Sequence, residues 1–188
     1  MGEAKEYTTT TPRGRPAIVL EPMGPRHLGA IADLVSDPEV LRFTRVPDHP
    51  DPDFAQRWIE RYAAGRRDGS CEGFAAVGAG GAFLGLALAP HIDREAREAE
   101  LGYIVATAAR GRGVATAILA ALTEWAFAEA DVLRAYLMID VANGASERVA
   151  RRCGYAHEGV LRSVHVKADR RADMGLWSRL PSDPPATA

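Results

Sequence analysis

The stretch Leu101-Gly102-Tyr103-Ile104-Val105-Ala106-Thr107-Ala108-Ala109-Arg110-Gly111-Arg112-Gly113-Val114-Ala115-Thr116 decides how this chain is read. Its opening, Leu101 to Ala106, is an apolar run of strand length, and its end begins a helix predicted over Val114 to Ala130, where Val114, Ile118, Leu122 and Trp125 mark one face. Between the two sit Gly111 and Gly113, which let the backbone turn tightly. The first amides of a helix have no partner inside it, and the helix dipole favours negative charge there. A strand, a glycine turn and a helix in this order therefore make a cradle for phosphate.

Three readings of the cradle stand on this stretch alone. A nucleotide-hydrolase loop needs GxxxxGK followed by Ser or Thr, and the chain has none. A dinucleotide fingerprint needs GxGxxG, but Thr116 occupies the third glycine's place, although Asp140 at the end of the next strand is placed to imitate a ribose-binding acid. The third reading is a plain tight connection with solvated arginines.

The rest of the chain narrows the setting. Its 188 residues, 47% hydrophobic and 26% charged, suit one compact domain. With 23 Lys plus Arg against 25 Asp plus Glu, the net charge of −2 argues against bulk attraction to nucleic acid or an anionic membrane, so any anion must be held locally. No apolar run approaches the ~18 residues of a membrane span, and no signal-like segment opens the chain, so a soluble cytoplasmic protein is expected. Met1-Gly2 begins like a lipidation signal, but Glu6 stands where Ser or Thr is needed. Cys71 and Cys153 lack metal-ligand spacing and read as small packing residues, and no metal site is expected.

Residues 1–14 read as a disordered leader and 181–188 as a flexible Pro-rich tail, leaving 15–180 as the domain. Within it, a strand is predicted at Ala17 to Leu20 and a helix at Pro25 to Val35, followed by a short helix capped by Asp37. A further helix, Asp53 to Ala64, carries Phe54, Trp58 and Tyr62 at four-residue spacing, read as a stripe packed on a sheet. Strands follow at Cys71 to Val77 and Ala82 to Ala87, and the charged run His91 to Glu98 reads as a solvated hairpin end. After the glycine turn come a strand at Val132 to Val141, a helix at Ala145 to Arg152 stopped by Gly154, and strands around Gly159 to Val166 and Ala172 to Leu180. The order predicts an α/β (α+β) domain with a mixed sheet flanked by helices.

Two motifs in order and on the expected elements then carry a resemblance. Arg110-Gly111-Arg112-Gly113-Val114-Ala115, preceded by Glu100-Leu101-Gly102-Tyr103, is similar to the RxxGxA or QxxGxG signature of the GNAT superfamily of acetyl-CoA-dependent N-acetyltransferases. Downstream, Asn143-Gly144-Ala145-Ser146 and Cys153-Gly154-Tyr155, running on to Glu158-Gly159-Val160-Leu161-Arg162, resemble the second coenzyme-side motif of the RimJ/RimL-like branch. The resemblance spans residues 15–180 and implies a mostly antiparallel sheet of about seven strands.

It further implies direct transfer from acetyl-CoA to a primary amine, a protein N-terminus or a small molecule, with a homodimer left open. The pyrophosphate would be held by the amides of Arg112, Gly113, Val114, Ala115 and Thr116, with the Arg110 and Arg112 side chains beside phosphates and Gly111 within the turn. Ile104 and Val105 would pair with the pantetheine arm like an added strand, and Asn143 would bind its amide. Glu100 is the candidate base, with Glu98 as alternate. Many relatives use a tyrosine as acid where this chain has Ala150, so Ser146 becomes the candidate proton donor and Tyr155 a packing residue. Arg57, Trp58, Tyr62 and the last strands are expected to choose the acceptor. The missing tyrosine also suggests an alternative, an acyl-CoA-binding protein with weak or no transfer activity.

Overall fold

The computed structural model describes residues 7–8 and 16–184. Its elements run β1 (Tyr7–Thr8), β2 (Val19–Pro22), α1 (Leu28–Leu34), α2 (Pro38–Phe43), α3 (Phe54–Asp68), β3 (Glu72–Val77), β4 (Phe83–Asp93), β5 (Glu98–Val105), α4 (Val114–Ala128), β6 (Arg134–Asp140), α5 (Gly144–Arg152), β7 (Ala156–Lys167) and β8 (Arg170–Arg179). The strands form one sheet in the order β1-β2-β3-β4-β5-β6-β8-β7, antiparallel throughout except for the parallel β5–β6 pair. This is the mixed, mostly antiparallel sheet the sequence predicts. Tyr7–Thr8 adds an eighth strand by pairing with Leu20 and Val19, which corrects the disordered leader at those two residues. The remainder of 1–14, and 185–188 of the tail, lie outside the described residues.

Helices cover both faces. On one, α4 packs with Ile118, Leu119, Leu122 and Trp125 buried against Leu101, Leu137 and Trp177. This helix is apolar almost all round because the sheet and its neighbours enclose it, and each fully buried Leu or Ile contributes roughly 1.5–3 kcal/mol. On the other face, α1, α2 and α3 bury Ile31, Val40, Ile59 and Tyr62 over Leu86, Leu88 and Ile104. Asp37 caps α2 as expected, accepting from the amides of Glu39 and Val40. The helix expected at Pro25 begins as a 3-10 turn over Pro25–His27. Among the described residues no helix is long and apolar enough to cross a membrane.

One irregularity shapes the site. Leu88 of β4 faces Gly102 of β5 while His91 faces Glu100, so Ala89 and Pro90 together oppose Leu101 alone. Such a bulge sharpens the local twist, and Pro90 has no amide to give the ladder. Past it, β5 leaves β6: the two pair only at Glu98–Glu100 with Arg134–Tyr136. β6 stays with β8 as far as Asp140 opposite Met174. A wedge therefore opens between Leu101–Val105 and Leu137–Asp140. The expected solvated hairpin at His91 to Glu98 shrinks to a turn at Arg94–Arg97, because the buried Ile92 and Ala99 carry the ladder through polar neighbours.

Candidate active site

The glycine turn forms one end of the site. Gly113 is the N-cap of α4 at φ 76°, and Gly111 lies at φ 73°, both in the left-handed region that penalises a β-carbon. No side chain caps α4 and its first turn carries no acid. Its leading amides, those of Val114, Ala115 and Thr116, thus have no helical partner. A cavity of about 380 Å³ opens over them. Ile104, Val105, Arg110, Gly111, Gly113, Val114, Ala115, Thr116 and Asn143 all line it, together with Ser146.

The two arginines of the turn already have partners within the chain. Arg112 folds back to donate to the Ala108 carbonyl at 2.6 Å. Arg110 bonds the Val105 carbonyl at 3.2 Å and pairs with Glu39 at 2.7 Å and Asp37 at 3.1 Å, tying the turn to α2. Desolvation acts to raise the Asp37 carboxyl, but hydrogen bonds from Thr107, Arg110 and the α2 amides outweigh it and bring it to about 2. Two other cations, Arg148 and Arg152, line the cavity from α5. Sequence reasoning missed them, although their i, i+4 spacing puts both on one helix face.

The wedge forms the other end, a cavity of about 260 Å³ between Gly102–Ile104 and Leu137–Asp140. It shares Phe43, Thr44, Tyr103, Ile104, Asn143 and Ser146 with the first cavity, so the two adjoin across those residues. Glu100 lines the wedge, and both its oxygens are engaged by Arg45 at 2.9 and 3.1 Å. Glu98 lies apart, 3.4 Å from Arg134. Of the expected acceptor residues, Arg57 is paired with Asp51 outside the wedge, and Arg61, one turn on, lines it instead. The aromatic stripe does two jobs: Tyr62 is buried with its ring on Gly73, while Phe54 and Trp58 stack beside it as wedge wall.

His165 of β7, unremarked in the sequence, also faces the wedge. Burial lowers its pKa, and Arg45 and Lys167 push the same way against Asp140, so the imidazole is held neutral. It owes its place to the hairpin of β7 and β8, strapped to the α2–α3 connection where Asp48 pairs with Lys167 at 3.1 Å and Arg170 at 2.8 Å.

A family model described as an acetyltransferase (GNAT) domain matches residues 17–156. The chain belongs to the GNAT acetyltransferase family. YdaF of Bacillus subtilis (strain 168), named for ribosomal N-acetyltransferase activity, is 33% identical over 100 residues, which is 53% of this chain and 55% of that protein. The chain thus matches little more than half the length of this relative. Mycobacterium smegmatis RimJ, solved with CoA-disulfide, superposes with a TM-score of 0.81 at 22% identity, covering 91% of this chain and 86% of that one. Spermidine N-acetyltransferase from Vibrio cholerae, solved with CoA and spermine, gives 0.78 at 20%, covering 88% and 96%. The expected RimJ/RimL likeness is found in the fold, and the sequence relative is likewise named for ribosomal N-acetyltransfer.

In α5, Ala150, at the position where the resemblance would put a tyrosine acid, is fully buried and offers no proton. Asn143 is the N-cap of α5, its Oδ1 accepting from the Ser146 amide at 3.0 Å, which leaves its side-chain NH₂ for another partner. The cap holds Ser146 at the junction of the two cavities. Tyr103 of β5 lines both cavities with it, and burial pushes its phenol up to about 12 while Ser146 draws it partly back. Tyr155 is a core residue as expected, its hydroxyl 2.7 Å from Thr123 Oγ1. Cys71 and Cys153 are buried packing residues.

Proposed function

We propose that the protein is an N-acetyltransferase moving an acetyl group from acetyl-CoA to a primary amine by direct attack within a ternary complex. The observation that carries this reading is the pair of adjoining cavities that runs from the uncapped end of α4 to Glu100 in the wedge. A pyrophosphate suits the first-turn amides of α4, with Arg148 and Arg152 across the cavity as cations. An extended pantetheine arm suits the free edge of β5, where Ile104 and Val105 have lost β6 as a partner. An amide of that edge is then available to polarise the thioester carbonyl, and the Asn143 NH₂ to hold the arm.

The amine arrives from the wedge side. Glu100 is the base toward which its ammonium is drawn, once that charge competes with Arg45 for the carboxylate. His165 supports a second reading of the base, since it faces the same chamber and is kept neutral. Ser146 donates to the departing thiolate. Arg45 and Arg61 offset Glu100 and Asp140 in the wedge lining, so a polycation gains little there, and a protein N-terminus or a small monoamine is the favoured acceptor.

Incubating the protein with acetyl-CoA and a panel of peptides, monoamines and polyamines tests this reading, with thiol release and product mass as readouts. Acetylated peptide or monoamine is the expected outcome. Tight acetyl-CoA binding with no thiol released from any acceptor would instead support the binding-protein alternative suggested by Ala150.

A further inference from the structure

Two of the charged side chains that line the wedge neutralise each other. Both oxygens of Glu100 are held by Arg45, which leaves Arg61 and Asp140 as the remaining charges of the lining. Among the described residues neither of these forms an ion pair, and the Arg61 side chain makes no hydrogen bond. The other arginines of α3 are placed differently: Arg57 pairs with Asp51 and Arg66 with the buried Glu72, each at 2.5 Å, and Arg67 lines neither cavity. Arg61 instead lays its guanidinium over the buried ring of Tyr62, 5.8 Å from the centroid, as part of the wedge wall. An aromatic face holds a guanidinium without using its N–H donors, so the planar fork that matches a carboxylate stays open. Asp140 marks the inner end of the wedge, since its carbonyl accepts the amide of Asn143, a residue of both cavities, whereas Arg61 lines the wedge alone.

We propose that Arg61 is a specificity-determining residue that binds a carboxylate of the acceptor, which makes the substrate class a primary amine carrying an acid group. The proposal rests on the reading of the protein as an N-acetyltransferase. The ammonium of such an acceptor turns inward, toward Glu100 and Asp140, and its carboxylate meets the open fork of Arg61. A polyamine offers Arg61 only a like charge, and a neutral amine leaves it without a partner. The acid has two sources, the α-carboxylate of a free amino acid or an acidic side chain just behind a protein's N-terminal residue. Both present the same planar anion.

Acceptor pairs that differ only in the acid test this: free amino acids against their amides, and peptides with Asp or Glu behind the first residue against the same peptides with Asn or Gln. Thiol release and product mass are read for each. The wild-type protein favours the acid member about tenfold in kcat/KM, the size of one charge-assisted hydrogen bond, and the pair in which it does so names the source. Arg61→Gln lowers kcat/KM about tenfold for the acid member and leaves the amide member within twofold, with KM for acetyl-CoA constant. Its melting temperature holds, because Arg61 has no acidic partner to lose among the described residues. Arg61→Lys, which keeps the charge, restores part of the preference. Equal use of acid and amide by the wild-type protein, or an equal loss for both members in Arg61→Gln, overturns the assignment of Arg61 alone. No thiol release from any acceptor overturns the transferase reading and this proposal with it, so the two failures are told apart.

Discussion

In the proposed reading the donor end rests mainly on one continuous stretch, Ile104 to Thr116, faced by Asn143, Ser146, Arg148 and Arg152 from α5 and its cap, whereas the acceptor end is built from side chains delivered by α2, α3, β5 and β7 and the connection after α2. Backbone amides at a helix start and two left-handed glycines need no distant partner to be poised. In contrast, Glu100 has its geometry only because Arg45, fifty-five residues earlier in the chain, meets it. The first end is cheap to specify and tolerant of sequence drift around it. The second depends on every element that crosses the wedge, and acceptor choice is therefore free to change while donor binding is kept.

The sharpest way to break this comparison is at the backbone. Gly113→Val places a branched side chain at φ 76°. That conformation costs of order 1–3 kcal/mol, so CoA affinity measured by calorimetry falls about ten- to hundredfold while the circular dichroism spectrum is retained. Unaltered affinity would remove the turn from the donor site. Ser146→Ala sits at the junction and is expected to lower kcat by about tenfold, below the usual yield of a general acid because a thiol is already a good leaving group. CoA affinity should not move.

On the acceptor side, Trp58→Ala removes a wedge wall, and KM for the amine rises about fivefold, in line with ~1 kcal/mol for a lost aromatic contact. KM for acetyl-CoA stays constant, and a parallel rise in both would show that the two ends are not separable. The base is addressed by pH. A neutral His165 acting as base gives kcat/KM an acid limb below the ordinary histidine value of 6.5, since its pKa is lowered, with activity lost as pH falls through it. His165→Gln then abolishes that limb, whereas a limb unchanged by this substitution assigns the base elsewhere and leaves Glu100.

The smallest effect is expected at the latch between the turn and α2. Asp37→Ala removes a helix cap and a partner of Arg110, costing about 1 kcal/mol in denaturant melts. Because the folded carboxyl titrates at about 2 against an ordinary 3.8, the stabilisation is complete above that ordinary value. It is lost as pH falls through about 2, so the wild-type advantage over Asp37→Ala narrows in that window.

The fold was legible because its signals are periodic and local. Helical spacing in Val114 to Trp125, the glycines at 111 and 113, and the Asn143 cap three residues before Ser146 each act within a turn or two of chain, and the resemblance of both motifs rests on the same short stretches. Hidden from that reading were the arginine directions and the wedge lining. Arg110 lines the cavity over the α4 amides but is also paired with Asp37 and Glu39 from α2, and Arg61 rather than Arg57 lines the wedge because helix phase relative to the sheet is not written in spacing alone.

The sequence by itself therefore determined the strand, turn and helix whose first amides are left unpaired, since sterics fix them residue by residue. Only tertiary structure decided where the sheet splits, that Arg45 meets Glu100, that His165 reaches the wedge under its Asp48 strap, and that Tyr103 and Ser146 line the same two cavities. Those placements come from a bulge and from contacts between residues far apart in the chain, and no local rule encodes them.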